Sequence, residues 1–235
     1  MASYISFAEP DRTMEALMKI GVLGAGMMTE SLAAGWIRAG HDVLIGGRTP
    51  EKAEALAKRI GARSGTLREA AEFGDAVLVA VRREGLEETL AAVGGALAGK
   101  PVIDCGNAVD VTDFSQVTYQ DGTSMAEEIA RLAPGAHVVK AFNQAHASVW
   151  AMTPPAFDGR PLAVPFAGDE EAKPAARTLI ADLGADPLDA GDLRQARNLE
   201  AMAIVVIRLL FSGYDPHSVF AFTSPGRTTE AFTSR

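Results

Sequence analysis

Of its 235 residues only one, Cys105, is cysteine, which excludes an internal disulfide and fits a reducing compartment. The four histidines, His41, His137, His146 and His217, lie far apart. No pair has metal-ligand spacing, so no metal is expected. Long hydrophobic runs are also missing. The most apolar stretch, Ala201 to Phe211, is interrupted by Arg208 and too short to span a bilayer. Positive charge is in deficit, with a formal net charge of −8 and no basic stripe, which excludes nucleic acid as an expected partner. The first 17 residues lack the basic start and apolar core of a signal peptide. They read as a flexible arm, or as the result of a start site upstream of Met18. The expectation is a cytoplasmic protein without a membrane segment, acting on a small molecule.

What is present is an ordered, core-forming composition, 48 % apolar and 22 % charged. Residues 19–48, KIGVLGAGMMTESLAAGWIRAGHDVLIGGR, carry most of the information. The apolar run from Ile20 to Leu23 meets Gly24-Ala25-Gly26, then a helical pattern, then a second apolar run from Val43 to Ile45. That is the strand, glycine turn, helix, strand order of a dinucleotide-binding unit. The glycines let the backbone approach a pyrophosphate, and the free N–H groups of the helix start point at it. The third glycine of the G-x-G-x-x-G pattern is replaced by Thr29, which is expected to loosen helix–strand packing slightly. An acidic residue after the second strand would hold the ribose 2′-hydroxyl of NAD; here stand Arg48, Thr49 and, one turn on, Lys52. Two cations and a hydroxyl suit a 2′-phosphate, so the reading is NADP. A lysine at a helix start is disfavoured by the helix dipole, which supports a ligand role for Lys52.

Further along, strands and helices alternate with short turns, and no internal repeat is visible. Thr49-Pro50 reads as an N-cap with proline at the first helical position. Thr66–Glu69 and Ser124–Glu127 have capping-box spacing. Residues 76–81 form a buried strand, apolar on both faces as in parallel sheets. Residues 101–104 and 137–142 are further strands, and 105–122 is the longest loop. Leu162 to Phe166, with Pro161 and Pro165, is expected at a sheet edge. A helix is expected from Gly168-Asp169-Glu170 to about Leu183, closed off by residues 187–191. A last apolar helix covers 193–211 and suits either a subunit interface or the core.

The motifs together resemble a known family. G-A-G at 24–26, GGRTPEK at 46–52, GAHVVKAFN at 135–143, PLDAG at 187–191 and ARNLE at 196–200 resemble the NADPH-dependent coenzyme F420 reductases (F420-dependent NADP oxidoreductases). The reductase domain of the six-transmembrane ferric reductases and pyrroline-5-carboxylate reductase are more distantly similar. The fold implied is α/β, a Rossmann-type doubly wound parallel sheet with a small C-terminal α/β extension. The division implied is an arm at 1–17, an NADP-binding domain at 18–160, a small domain at 161–222 and a loose tail at 223–235. The resemblance also implies a homodimer and a cleft between the domains. Carried over, Gly24, Gly26 and Met27 face the pyrophosphate, Arg48, Thr49 and Lys52 the 2′-phosphate, and Val81 and Arg82 the nicotinamide side, with Met28 also among the cofactor-binding residues. Asn107 is placed near the cofactor ribose or in a plain turn. Where those F420 reductases set a histidine near the deazaflavin, this chain has Asn143, as the ferric-reductase branch does. The second substrate is therefore left between F420 and a flavin.

Hydride transfer between NADPH and a conjugated ring needs mainly positioning, since the cofactor carries the chemistry. Reduction of an imine, enone or carbonyl needs a proton donor in reach, for which the candidates are His146, Tyr119 and Lys140. Asn143 would orient the nicotinamide or the substrate, or cap the next helix. Each candidate also has a plainer role: Lys140 pairing with Asp104, His146 on a surface helix, Tyr119 anchoring its loop, Cys105 as a small buried residue. A third reading is a non-catalytic NADP sensor.

Overall fold

The alternation of apolar runs and capped helices becomes a single eight-stranded sheet sandwiched between helices. The computed structural model describes residues 17–110, 112–217 and 221–223. Apart from Leu17 and Thr223, the arm and tail expected at the two ends lie outside the described residues. In chain order the elements are β1 (Lys19–Leu23), α1 (Met27–Ala39), β2 (Asp42–Gly46), α2 (Pro50–Ile60), β3 (Arg63–Gly65) and α3 (Leu67–Phe73). Then follow β4 (Ala76–Val79), α4 (Leu86–Val93), β5 (Pro101–Asp104), α5 (Met125–Leu132), β6 (His137–Lys140) and α6 (Ala147–Trp150). A small hairpin of β7 (Ala156–Phe157) and β8 (Arg160–Pro161) leads to β9 (Ala163–Gly168), α7 (Lys173–Ala181), β10 (Asp186–Asp189) and α8 (Ala196–Phe211).

The sheet order is β10-β9-β6-β5-β4-β1-β2-β3. Pairing is parallel throughout except between β6 and β9, which meet antiparallel at Val139 with Gly168 and Lys140 with Ala167. The order from β3 to β6 is that of a dinucleotide-binding sheet, and β1 beside β4 marks the switch point where such sheets open a crevice. Alternation of side chains splits the core into two layers. In β4, Ala76 and Leu78 join α1, α2 and α7 on one face, while Val77 and Val79 join α3, α4 and α5 on the other. Both faces are covered, which is why β4 is apolar at every position.

Local chemistry places most boundaries where the sequence puts them. Thr66 and Ser124 each close a full capping box with Glu69 and Glu127, and Thr49 precedes α2 with Pro50 in its first turn. Three expectations are corrected. The 162–166 segment is not at an edge: β9 lies between β6 and β10. Pro165 is tolerated because β6 pairs only with Ala167 and Gly168, beyond the proline. The outer edge is instead β10, within the segment expected to be a turn, where Pro187 needs no outward donor. The helix expected from residues 168–170 begins at Lys173, because the Asp169 carboxylate accepts from the Val138 N–H at 2.7 Å and is not free to cap. Residues 163–189 thus extend the sheet itself.

No helix among the described residues is long and apolar enough to cross a membrane. Helix α1 is tied to α7 by Trp36, whose indole is fully buried and donates to the Leu179 carbonyl of α7 at 2.9 Å. Replacing it with phenylalanine removes that bond and part of the buried ring. Trp36→Phe should lower the unfolding free energy by about 1–3 kcal/mol in a urea titration followed by circular dichroism. An unchanged midpoint would show that α1 does not depend on this tie.

Candidate functional site

The turn after β1 is shaped by a residue that must be glycine. Gly24 has φ +122°, and a Cβ there would lie 2.3 Å from the Ala80 carbonyl oxygen. Its N–H donates to the Gly46 carbonyl at 2.8 Å, fastening the turn to the end of β2. Two residues on, a Cβ at Gly26 would meet nothing within 4 Å, so the space before the helix is open. No side chain caps α1. An open approach to uncapped N–H groups is what a pyrophosphate requires. Thr29, expected to loosen the packing, is fully buried and donates its hydroxyl to the Gly24 carbonyl at 2.9 Å. It therefore ties the helix to the turn.

From this turn a groove of about 660 Å³ runs over the ends of β1, β2 and β4, lined by Gly24, Gly26, Arg48, Thr49, Lys52, Val81 and Arg82 among others. Arg48 is exposed and ion-paired with Glu88 of α4 at 2.9 Å. The pairing holds its guanidinium beside Gly85 at the rim of the groove. The stretch Gly47 to Pro50 after β2 carries Arg48 and Thr49 and no carboxylate of the kind that holds a free 2′-hydroxyl, which fits a phosphorylated ribose.

The groove continues into an inner cavity of about 440 Å³ through the shared residues Gly26, Ala80, Val81 and Arg82. Met27 and Met28 line this cavity next to Gly26, which borders both spaces. Asn107, Asn143 and His146 line it too. Residues that sequence reasoning did not single out complete the wall: Gln144, Gly106 and the α8 residues Ala203, Val206, Ile207 and Leu210. The apolar face of α8 was visible as a pattern, but its partner was not. Tyr119 is not in the wall. It packs against the α3–α5 layer with a buried, unpartnered hydroxyl, and burial pushes its phenol well above the ordinary value.

Below the cavity lies a buried ionic cluster. Lys140 has no solvent exposure, and its Nζ lies 2.6 Å from Asp104 Oδ2 and 2.6 Å from Glu200 Oε1. Burial alone would lower the Lys140 pKa, but the two carboxylates outweigh it and the net direction is up. Glu200 is pushed up, first by its own burial and against the pull of Lys140. The cluster also accepts from the backbone N–H groups of Gly106 and Met125. The pairing of Lys140 with Asp104 was legible in sequence. Glu200 was not, although a lone carboxylate on an apolar helix was a signal for it.

Polar side chains above the cluster are fixed in turn. Asn107 donates to the Asn143 carbonyl, and Asn143 Nδ2 donates to Asn107 Oδ1 at 2.9 Å and to the Leu199 carbonyl at 3.1 Å. Asn143 follows Phe142, a buried residue at φ +66° clamped edge-on between Trp36 and Trp150. Such a conformation costs roughly 1–3 kcal/mol and persists only where packing enforces it. The next helix is capped by His146, not Asn143: its Nδ1 accepts from the Ser148 N–H at 3.2 Å. That leaves Nε2 to carry the proton of the neutral ring.

Cys105, in the same wall, is buried, and burial pushes its thiol up to about 12. It is a packed residue and not a nucleophile at neutral pH. Above the ordinary thiol value of about 8.5 the unfolded chain gives up this proton while the folded chain keeps it. Stability is therefore complete below about pH 8.5 and falls as pH rises towards 12. Urea titrations between pH 8.5 and 10 should show a loss approaching about 1.4 kcal/mol per pH unit that disappears in Cys105→Ala. An equal slope in both proteins would rule out the buried thiol as its origin.

The family described as "NADP oxidoreductase coenzyme F420-dependent" matches residues 19–108. The F420-dependent NADP reductase of Methanothermobacter marburgensis is 32 % identical over 209 residues, covering 82 % of this chain and 92 % of that protein. The metalloreductase STEAP3 of Rattus norvegicus is 34 % identical over 187 residues, covering 79 % of this chain but only 36 % of that longer protein. A solved structure from Arthrobacter sp. FB24, provisionally described as an F420-dependent NADP-reductase, superposes with a TM-score of 0.73. It is 30 % identical and covers 83 % of this chain and 94 % of that one. The glycine turn, the Arg48–Lys52 rim and the similarity along almost the whole length of a known reductase agree: the chain belongs to the F420-dependent NADP reductase family of Rossmann-fold, NADP-dependent oxidoreductases.

Proposed function

We propose that this protein transfers a hydride between NADP(H) and a conjugated tricyclic acceptor, a deazaflavin of the F420 type or a flavin. The observation that carries this reading is the inner cavity: it opens from the cofactor groove, its walls are mostly apolar, and it offers no acid–base dyad. In the adjoining groove Val81 and Arg82 would hold the nicotinamide side, Gly24 and Gly26 the pyrophosphate, and Arg48, Thr49 and Lys52 the 2′-phosphate. NADPH supplies two electrons as hydride; the acceptor ring takes the hydride and a solvent proton, leaving NADP⁺ and the dihydro acceptor. The protein's share is to stack two rings and exclude water, which an apolar chamber does.

Anaerobic mixing with NADPH should bleach the absorbance of oxidised F420, whereas NADH should not. Arg48→Ala should weaken NADPH roughly 10–100-fold and leave NADH unchanged, as expected for loss of a charge-assisted phosphate contact. Bleaching of neither F420 nor FMN by bound NADPH would exclude the reading. It would favour the imine or carbonyl alternative, for which His146 is the proton donor in the cavity wall. In that case His146→Ala abolishes turnover and spares NADPH binding.

A homodimer belongs to the same reading. Val205 and Phe211 of α8 are 60 % and 69 % exposed, an unusual state for large apolar side chains on a helix that also walls the cavity. Sedimentation equilibrium should give twice the chain mass, and a concentration-independent monomer would remove the dimer from the proposal.

A further inference from the structure

Beside the inner cavity lies a smaller one of about 280 Å³ that the stacking of two rings leaves unused. Arg82, Asn107 and Ile207 line both, so the two spaces adjoin. Part of its wall is Phe114, from the loop after β5, stacked on Phe211 of α8 with ring centroids 4.0 Å apart. Phe114 holds φ +56°, a backbone state that a bulky residue keeps only where packing enforces it. The loop is thereby pinned against α8, and the side cavity is the space this contact encloses next to the end of β4.

Two consecutive arginines, Arg82 and Arg83, line this space. The Arg82 side chain is exposed and makes no hydrogen bond or ion pair among the described residues. Arg83 has only a loose partner: its Nε lies 3.6 Å from Glu84 Oε1, beyond hydrogen-bond reach. Asp110, which also feels the Arg83 charge, is taken up by the Thr112 N–H and hydroxyl at 2.8 and 2.6 Å. With Glu84 as its one carboxylate, the lining keeps a positive balance in a chain whose net charge is −8. On an acidic protein such a spot draws anions that the rest of the surface repels.

We propose that the side cavity binds a phosphate monoester at the end of a flexible arm of the acceptor, with Arg82 and Arg83 as its cations. The inference rests on the reading that the acceptor is a flavin or deazaflavin, and adds a substrate class to it: rings whose arm ends in a phosphate. A carboxylate is satisfied by one bidentate guanidinium, whereas a phosphate, with three terminal oxygens and close to two charges, suits two. The cofactor's own phosphates have their place elsewhere. Gly24, Gly26, Arg48, Thr49 and Lys52, to which they are assigned, all line the groove, and none lines the side cavity. Arg82 stands where the groove and both cavities meet, while Arg83 lines the side cavity alone of the three. The apolar wall beside the two guanidiniums reduces the screening of their contact with an anion.

The test compares 5-deazariboflavin with its 5′-phosphate, which share ring and arm and differ by the phosphate alone. Fluorescence titrations of the intact protein saturated with NADP⁺ should give a Kd roughly tenfold lower for the phosphate, as charge-assisted hydrogen bonds provide. The preference should shrink as sodium chloride is added. Arg83→Gln should bring the two compounds to equal affinity by weakening the phosphate alone. As the ligand comparison is made on the wild-type protein, a variant that fails to fold does not remove the test. Equal binding of the two compounds would overturn the side-cavity assignment and leave the acceptor reading in place. Displacement of NADP⁺ by the phosphate would overturn it by sending that group to the cofactor groove. A preference that survives both Arg82→Gln and Arg83→Gln would overturn it by assigning the phosphate to other cations. Failure of both compounds to bind the NADP⁺ complex would overturn the acceptor reading, and this inference with it.

Discussion

One ammonium group holds the cleft together. Lys140, at the end of β6, reaches Asp104 at the end of β5 and Glu200 on α8, and all three side chains are buried. A charge in this position persists only because its partners are in contact; with one removed, the others would be left uncompensated at a cost of roughly 3–5 kcal/mol. The same atoms order the loop after β5 through Gly106 and the start of α5 through Met125. The cluster therefore determines where α8 lies, and α8 is the wall that makes an open crevice into a chamber.

This arrangement separates two tasks. The cofactor end is built from backbone: Gly24 in a left-handed turn against Ala80, an open Gly26, and an uncapped helix start. The charged side chains along it are Arg48, Lys52, Arg82 and Glu84, with Arg48 steadied by Glu88. The inner cavity is built from side chains whose geometry is over-determined. Phe142 is clamped by two tryptophans, Asn143 is bonded on both Nδ2 hydrogens, and His146 is engaged by Ser148. A family that keeps one cofactor and changes its second substrate would vary the second set and retain the first.

The sequence by itself determined whatever depends on neighbours along the chain. Strand β1, the Gly24 turn, both capping boxes and the Arg48-Thr49-Pro50 junction were legible because each is a contact within a few residues. Most of the residues expected to hold the cofactor accordingly line one groove. The tertiary structure decided what depends on distant residues meeting. It made β9 an interior strand and β10 the edge, moved the start of α7 by giving Asp169 to β6, and set Tyr119 outside the cavity. It also brought Glu200 to Lys140. Those relations join residues tens of positions apart, through burial and hydrogen bonds that only the closed sheet creates, so no local pattern in the chain encodes them.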